Sequence, residues 1–364
     1  MQNKHLATLI ASMDKEKMAA LFIAPSEEMT FLFGQSPSLC ERFQGMFITG
    51  KGELFYICNL LYREEIVSMF GDFAEIYSWF DGDGFTGLTD QVLRKYNLLG
   101  KTIGVNSAAR AADILQITQT TAVIFVSGIT ILEETRLLKS TEELENLQQS
   151  AKYTDEAYLE LTGMIKAGQS ERDIMQMLSK IYQNKGLEQS HGIIASGSNS
   201  AYPHYSSDQR IIQEKDIIII DLGCIYNHMC SDLTRTLFVG GITDKEKQIY
   251  DIVLEAITAA EDLVAEGVYI PEIDQAARDI IEKAGYGRYF NTRLGHGIGY
   301  AIHEAPDIKK NNPRNLQKGM AFSIEPGIYL PGEFGIRIED IVTITAEGAK
   351  ILNRVPKTVT VINN

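Results

Sequence analysis

Five side chains in the second half of the chain have the types and spacing to work together: Asp221, Asp232, His296, Glu325 and Glu339. The four carboxylates lie on or beside apolar, β-prone runs. Asp221 closes Asp216-Ile-Ile-Ile-Ile-Asp221, Asp232 precedes Leu233-Thr-Arg-Thr-Leu237, Glu325 follows Ala321-Phe-Ser-Ile324, and Glu339 follows Ile336-Arg-Ile338. A lone carboxylate carried inward on such a run is costly to bury, so it normally pairs with a cation or binds a metal. Hard oxygen donors with one imidazole suit Mn²⁺, Co²⁺, Fe²⁺ or Zn²⁺. This many carboxylates point to two ions sharing bridging ligands, and such ions activate water and polarise a carbonyl. A single acid here would read as an ordinary surface group in a hairpin; this ordered set does not.

The elements that must position these residues repeat. Lys215–Asp221 reads as a strand, followed by a turn and then Ser231–Leu237; Lys318–Glu325 reads as a strand, followed by a turn and then Gly335–Val342. Each hairpin brings two acids together, eleven positions apart in the first and fourteen in the second. Two helices are expected ahead of each hairpin. Ser140-Thr-Glu-Glu143 and Thr243-Asp-Lys-Glu246 are capping boxes, Ser170-Glu-Arg-Asp173 opens a helix to about Asn184, and Pro271 suits the start of another ending near Gly285. The order helix, helix, hairpin thus occurs twice, and facing hairpins would place four carboxylates around one point.

At these residues the chain resembles the pita-bread metallopeptidases: Xaa-Pro dipeptidases (prolidases), Xaa-Pro aminopeptidases and methionine aminopeptidases, with creatinase as a metal-free relative. The matching stretches are Ser196–His204, Asp221-Leu-Gly223, Ser231–Thr236, Gly295-His-Gly-Ile-Gly299, His303-Glu-Ala-Pro306, Ile324–Tyr329 and Gly335–Asp340. The resemblance implies an α/β amino-terminal domain of the creatinase/prolidase type over 1–135 and an α+β pita-bread catalytic domain with internal duplication over 136–364. It implies that Asp232 and Glu339 bridge two divalent ions, Mn²⁺ foremost with Co²⁺, Zn²⁺ or Fe²⁺ as substitutes. Asp221 then completes one site, and His296 with Glu325 the other. Glu325 is also the implied proton carrier, and His204 and His303 the groups that hydrogen-bond substrate. Arg337, two residues before Glu339, suits a role holding a metal-bound carboxylate. One position departs from the pattern. Thr292 stands where these families commonly have a histidine four residues before the metal-ligating one, which touches substrate preference or rate rather than metal binding.

Other histidines and cations read differently. His191 and His228 are expected to be structural or exposed, and Arg235 could equally be a plain ion-pair residue. Cys40, Cys58, Cys224 and Cys230 show no C-x-x-C spacing; a bridge between Cys224 and Cys230 is conceivable, but packed reduced thiols are the expectation. Asp81-Gly-Asp-Gly84 lacks the twelve-residue spacing and closing Glu of a calcium loop.

The first 135 residues read as alternating helices and strands, with strands at Met18–Ile23, Thr30–Phe33, Met46–Thr49, Glu53–Cys58, Glu75–Phe80, Thr102–Val105 and Ala122–Val126, and with Glu133–Lys139 as a boundary. At 364 residues, 45% hydrophobic and 23% charged, the composition is that of an ordinary globular protein of two domains. A net charge of −14 argues against nucleic acid. No apolar run approaches the ~18 residues of a membrane span, and without a secretory signal a cytoplasmic location is expected.

The reading is therefore hydrolysis of the bond between any residue and proline in a di- or oligopeptide, by a protein of the size of compact prolidases, expected to act as a homodimer. Size favours a dipeptidase; an Xaa-Pro aminopeptidase on longer peptides is the alternative. The amino-terminal domain argues against methionine aminopeptidase, and intact ligands argue against an inactive binding module of the same fold.

Overall fold

Local helix signals and helix starts coincide. In the computed structural model, which describes residues 4–206 and 209–363, Ser140, Ser170 and Thr243 each cap a helix through a complete capping box with Glu143, Asp173 and Glu246 respectively. The chain divides into two units, Met1–Arg136 and Leu137–Asn364.

The first unit holds a six-stranded mixed sheet of β1 (Ala20–Ile23), β2 (Gly45–Thr49), β3 (Leu54–Asn59), β4 (Glu75–Trp79), β5 (Thr102–Val105) and β6 (Ile124–Ser127), in the order β4-β3-β2-β1-β5-β6. Its helices are α1 (Lys4–Lys15), α2 (Glu27–Phe33), α3 (Arg63–Phe70), α4 (Thr86–Lys95), α5 (Ala111–Thr120) and α6 (Ile129–Arg136). Two expectations change here. Thr30–Phe33 is the end of α2 and not a strand. Glu27 and Glu28 sit in its first turn, Glu28, Met29 and Leu32 bury at helical spacing, and Gly34 closes it at φ 77°. Four residues, three of them apolar, are too few to reveal a period. The polar run Glu133–Arg136 is the last turn of α6, and its Arg136 is buried.

In the second unit, helices α7 (Thr141–Thr162) and α8 (Glu171–Asn184) precede β7 (Glu188–Ser196), β8 (Ile217–Tyr226), β9 (Met229–Cys230) and β10 (Leu233–Val239). Helices α9 (Asp244–Asp262) and α10 (Ile270–Lys283) precede β11 (Gly295–Gly297), β12 (Glu304–Ile308), β13 (Ala321–Ile324), β14 (Gly327–Leu330), β15 (Phe334–Arg337), β16 (Asp340–Thr345), β17 (Gly348–Ile351) and β18 (Thr360–Ile362). One sheet runs β18-β10-β8-β7 and the other β12-β11-β13-β16-β17, with β14-β15 as a separate ribbon. Each helix pair covers one sheet. Leu161, Ile174 and Leu178 pack on Ile218, Ile220 and Leu237, while Val253, Ile257 and Ile273 share a core with Phe322, Ile324 and Val342.

The second hairpin is broken where a continuous one was expected. Ala321–Ile324 pairs with residues from Asp340 on, and Gly327–Leu330 pairs separately with Phe334–Arg337. Pro326 has no N–H to give a ladder. The Glu339 N–H leaves its own hairpin to donate to the Thr234 carbonyl of β10, at 3.1 Å. That crossing helps stitch the two sheets together beside the acids.

Arg235 completes the seam. It is 2% exposed and uses every N–H: to the carbonyls of Pro356 (3.2 Å), Thr234 (2.9 Å), Glu339 (2.6 Å) and Val355 (2.6 Å), and to Asp340 Oδ1 (2.7 Å). It is thus a buried tie between strands and not a plain surface pair. Lys357 Nζ also donates to Asp340, at 2.6 Å. The four cysteines are free, and Cys224 Sγ lies 3.4 Å from Thr154 Oγ1 as a packed thiol. Among the described residues, no helix is long and apolar enough to cross a membrane.

Replacing Arg235 by Met strands several buried carbonyls and leaves Asp340 with Lys357 alone. Loss of one partner of a buried pair costs roughly 3–5 kcal/mol. Urea unfolding of Arg235→Met is expected to show a loss of that size, and a loss under about 1 kcal/mol contradicts the role of the seam.

Candidate metal centre

Strand alternation and two interruptions of strand structure deliver the acids. Asp221 lies within β8, paired with Thr234 on β10. Asp232 stands just before β10, Glu325 follows β13, and Glu339 occupies the gap between β15 and β16. Asp221, Asp232, His296 and Glu339 are all buried, at 8%, 4%, 3% and 1% exposure, whereas the Glu325 side chain keeps 20%.

His296 sits between two glycines because the chain passes very close to its neighbours there. A Cβ on Gly295 would stand 1.9 Å from the Ser323 carbonyl oxygen, and one on Gly297 would stand 2.2 Å from that of Ala305. The His296 backbone N–H donates to Ser323 Oγ (3.1 Å), and its Nδ1 lies 3.0 Å from the Gly297 carbonyl. With Nδ1 as donor to that carbonyl, Nε2 is left with its lone pair toward the acids. Nε2 is 3.3 Å from Glu325 Oε1 and 3.7 Å from Asp232 Oδ2.

The donor atoms form two overlapping clusters, His191–Asp221–Asp232 and Asp232–His296–Glu339. Within each they lie no more than 4.8 Å apart, a span one divalent cation can bridge at ordinary ligand distances. Asp232 belongs to both. His191 was expected to be structural or exposed; instead its Nε2 is 2.8 Å from Asp221 Oδ1 and 2.9 Å from Asp232 Oδ1. His228 is exposed in the turn after β8 at φ 70° and takes no part.

Around the clusters, Arg337 Nη2 donates to Asp221 Oδ2 (2.5 Å), Nε to Thr234 Oγ1 (3.1 Å), and Nη1 to Tyr329 Oη (2.8 Å) and the Pro203 carbonyl (3.1 Å). Arg337 therefore holds Asp221 and the loop carrying His204. Thr234 Oγ1 donates to Glu339 Oε2 at 2.6 Å. Thr234 and Tyr329 lie inside the matching stretches but carry no charge to draw attention to them. The exposed His303 ring stands edge-on to His296, with centroids 4.3 Å apart, and His204, also exposed, is 6.5 Å from His303. Thr292 is half-buried, and its carbonyl accepts from Arg278 Nη2 at 2.6 Å.

Positive charge is short. Burial alone would push Asp221 up, but Arg337 and His191 outweigh it and hold that carboxyl below the usual range. Burial pushes Asp232 up, with His191 offsetting part and the Asp221 charge adding to it. Burial, with Asp232 and Asp221 adding to it against Arg337, pushes Glu325 up to about 8. Glu339 goes well above its ordinary value through burial and the neighbouring acids. Burial, reinforced by His303, takes His296 down to about 3. Asp232 Oδ1 and Glu339 Oε1 are buried and accept no hydrogen bond. His191 Nε2 lies 2.9 Å from the first of these. Orphaned anionic oxygens and a neutral imidazole converging from several strands fit divalent cations.

Comparison with known proteins agrees with this chemistry. The model of metallopeptidase family M24 matches residues 145–346. The chain is 32% identical to the Xaa-Pro dipeptidase of Pyrococcus horikoshii over 360 residues, 97% of each protein. The crystal structure of the prolidase from Thermococcus sibiricus superposes with a TM-score of 0.94 at 30% identity, covering all of both chains. That of the X-Pro aminopeptidase from Thermotoga maritima superposes at 0.85 and 28% identity, over 98% of this chain and 99% of its own. The two-layered arrangement behind an α/β unit is thus the pita-bread fold of these enzymes, and the chain belongs to metallopeptidase family M24.

Proposed function

We propose that the protein hydrolyses the Xaa-Pro bond of dipeptides with the help of two divalent cations, Mn²⁺ foremost. The observation that carries this is Asp232: one carboxylate shared by two overlapping donor clusters. Asp221, Asp232, His296, Glu325 and Glu339 would hold the ions, Asp232 and Glu339 standing between the two. When bound, the cations supply activation of water and polarisation of the scissile carbonyl.

The remaining steps belong to the chain's own residues. Glu325 is the one acid of the set that keeps appreciable exposure. It can take a proton from the attacking water and return it to the leaving amine. His204 and His303 are exposed beside the centre, placed to hydrogen-bond a peptide and the charge that develops on its carbonyl. Arg337 fixes Asp221 so that it does not turn away. Thr292, in place of the family's histidine, leaves this set intact. The dipeptidase reading over the aminopeptidase one rests on the whole-length likeness to dipeptidases; the aminopeptidase structure shares the fold equally over its length.

Purified Mn²⁺-loaded protein is expected to cleave Xaa-Pro dipeptides with higher kcat/KM than Xaa-Pro-Yaa peptides. Preference for the longer peptides would make it an aminopeptidase, and no cleavage of either removes the proposal. Glu325→Gln is expected to lower kcat roughly 10²–10⁴-fold; a loss under tenfold assigns the proton transfer elsewhere.

The electrostatics give a second expectation. In the metal-free protein Glu325 and Glu339 bind protons at pH values where the unfolded chain has released them. His191, held well above its ordinary value because the two aspartates outweigh its burial, does the same above its own unfolded pKa. A native state that binds more protons loses stability as pH rises. His296 has the opposite sign, but only between about 3 and its unfolded value. From about pH 6.5 to about pH 8 the melting temperature of metal-free protein should therefore fall, and the rise in Tm on adding Mn²⁺ should grow. A Tm gain that is constant or shrinks over that interval contradicts the charge assignment.

A further inference from the structure

We infer that His191 is a ligand of the proposed two-cation centre, giving its Asp221–Asp232 end an imidazole to match His296 at the other end. The inference rests on the two-cation reading above and adds a donor outside the motifs that carry the family likeness, which begin at Ser196.

The two imidazoles flank Asp232 on different oxygens. His191 Nε2 is 2.9 Å from Oδ1, and His296 Nε2 is 3.7 Å from Oδ2. Their opposite ring nitrogens each have an oxygen neighbour. Ser190 Oγ lies 3.0 Å from His191 Nδ1, and the Gly297 carbonyl lies 3.0 Å from His296 Nδ1. With Nδ1 as the donor, such a contact fixes ring orientation and leaves Nε2 for a metal. Space for the ring is built into the sheet. His191 pairs with Gly223 on β8, and a Cβ there would stand 2.5 Å from His191 Cε1. Any residue larger than glycine would push the imidazole off the acids.

The opposing role is a cationic filler, an imidazolium that neutralises the aspartates and departs when metal arrives. The geometry suits a ligand. Nε2 lies 2.8 Å from Asp221 Oδ1 and 2.9 Å from Asp232 Oδ1, and the three donor atoms lie within 4.8 Å of one another, a span one cation can bridge. A filler would keep its proton and leave, whereas a ligand gives up that proton and stays, so the two roles differ in the imidazole count of the loaded protein. A nitrogen donor in place of an oxygen also shifts this end toward Co²⁺ and Zn²⁺ relative to Mn²⁺.

X-ray absorption of full-length protein loaded with two equivalents of Co²⁺ counts imidazoles, and calorimetry with Co²⁺ alone gives the affinity of each ion. Wild-type protein is expected to show two imidazoles for the two ions. His191→Ala is expected to show one, with one of the ions bound at least about tenfold more weakly. One imidazole in the wild type, or equal or tighter binding in His191→Ala, overturns the inference while leaving the two-cation reading in place. Failure of the wild type to take up ions at all removes both. Should the variant not fold, the wild-type imidazole count decides alone.

Discussion

Mutual repulsion among buried carboxylates is the constraint on which the catalytic unit turns. Asp221, Asp232, Glu325 and Glu339 approach one another in the largely buried interior of the unit, and the fixed positive charge facing them is chiefly Arg337. Like charges this close cannot all ionise unless something cationic stands between them. Arg337 is spent on Asp221, which is the acid held below its ordinary range while the others are pushed above theirs. The chain therefore carries a built-in deficit of positive charge. A surface cluster could relax by turning its side chains into solvent; this one is held by the two sheets.

The frame that resists the repulsion is a seam. Glu339 N–H donates to the Thr234 carbonyl, Thr234 Oγ1 donates to the Glu339 carboxylate, and Thr236 Oγ1 donates to the Arg337 carbonyl at 2.8 Å. Arg235 binds the strand ends from behind. Glu339 is thus fixed by backbone from the opposite sheet and Asp221 by Arg337, and the helix pairs supply the apolar burial that keeps both sheets in place. Exposed residues, His204 and His303, sit where a substrate can reach them. The proposed division of labour is physical: buried groups set charge, and exposed groups would meet the peptide.

Much of this could be read from the sequence because the signals were local. Capping boxes at Ser140 and Thr243 announce helix starts within four residues, and acids set on isoleucine-rich runs announce an inward carboxylate. What could not be read depended on partners far along the chain. The second hairpin splits at Pro326 and at Glu339, and the latter break exists because Thr234, more than a hundred positions away, takes the backbone bond. The strand expected at Thr30–Phe33 is a short helix ended by Gly34, since a four-residue stretch with three apolar side chains fits either period. His191 was hidden by an irregularity. The β7–β8 register shifts between Gln189 and His191, so simple alternation along Glu188-Gln-Ser-His191 does not give the face on which the ring falls.

The central claim is that divalent cations occupy the space these acids enclose. Anomalous diffraction from crystals of the Mn²⁺-loaded protein tests it most directly. Two peaks are expected, one beside Asp221 and Asp232 and the other beside Asp232, His296 and Glu339. An absence of peaks there, or ions bound only at surface carboxylates, would contradict the account.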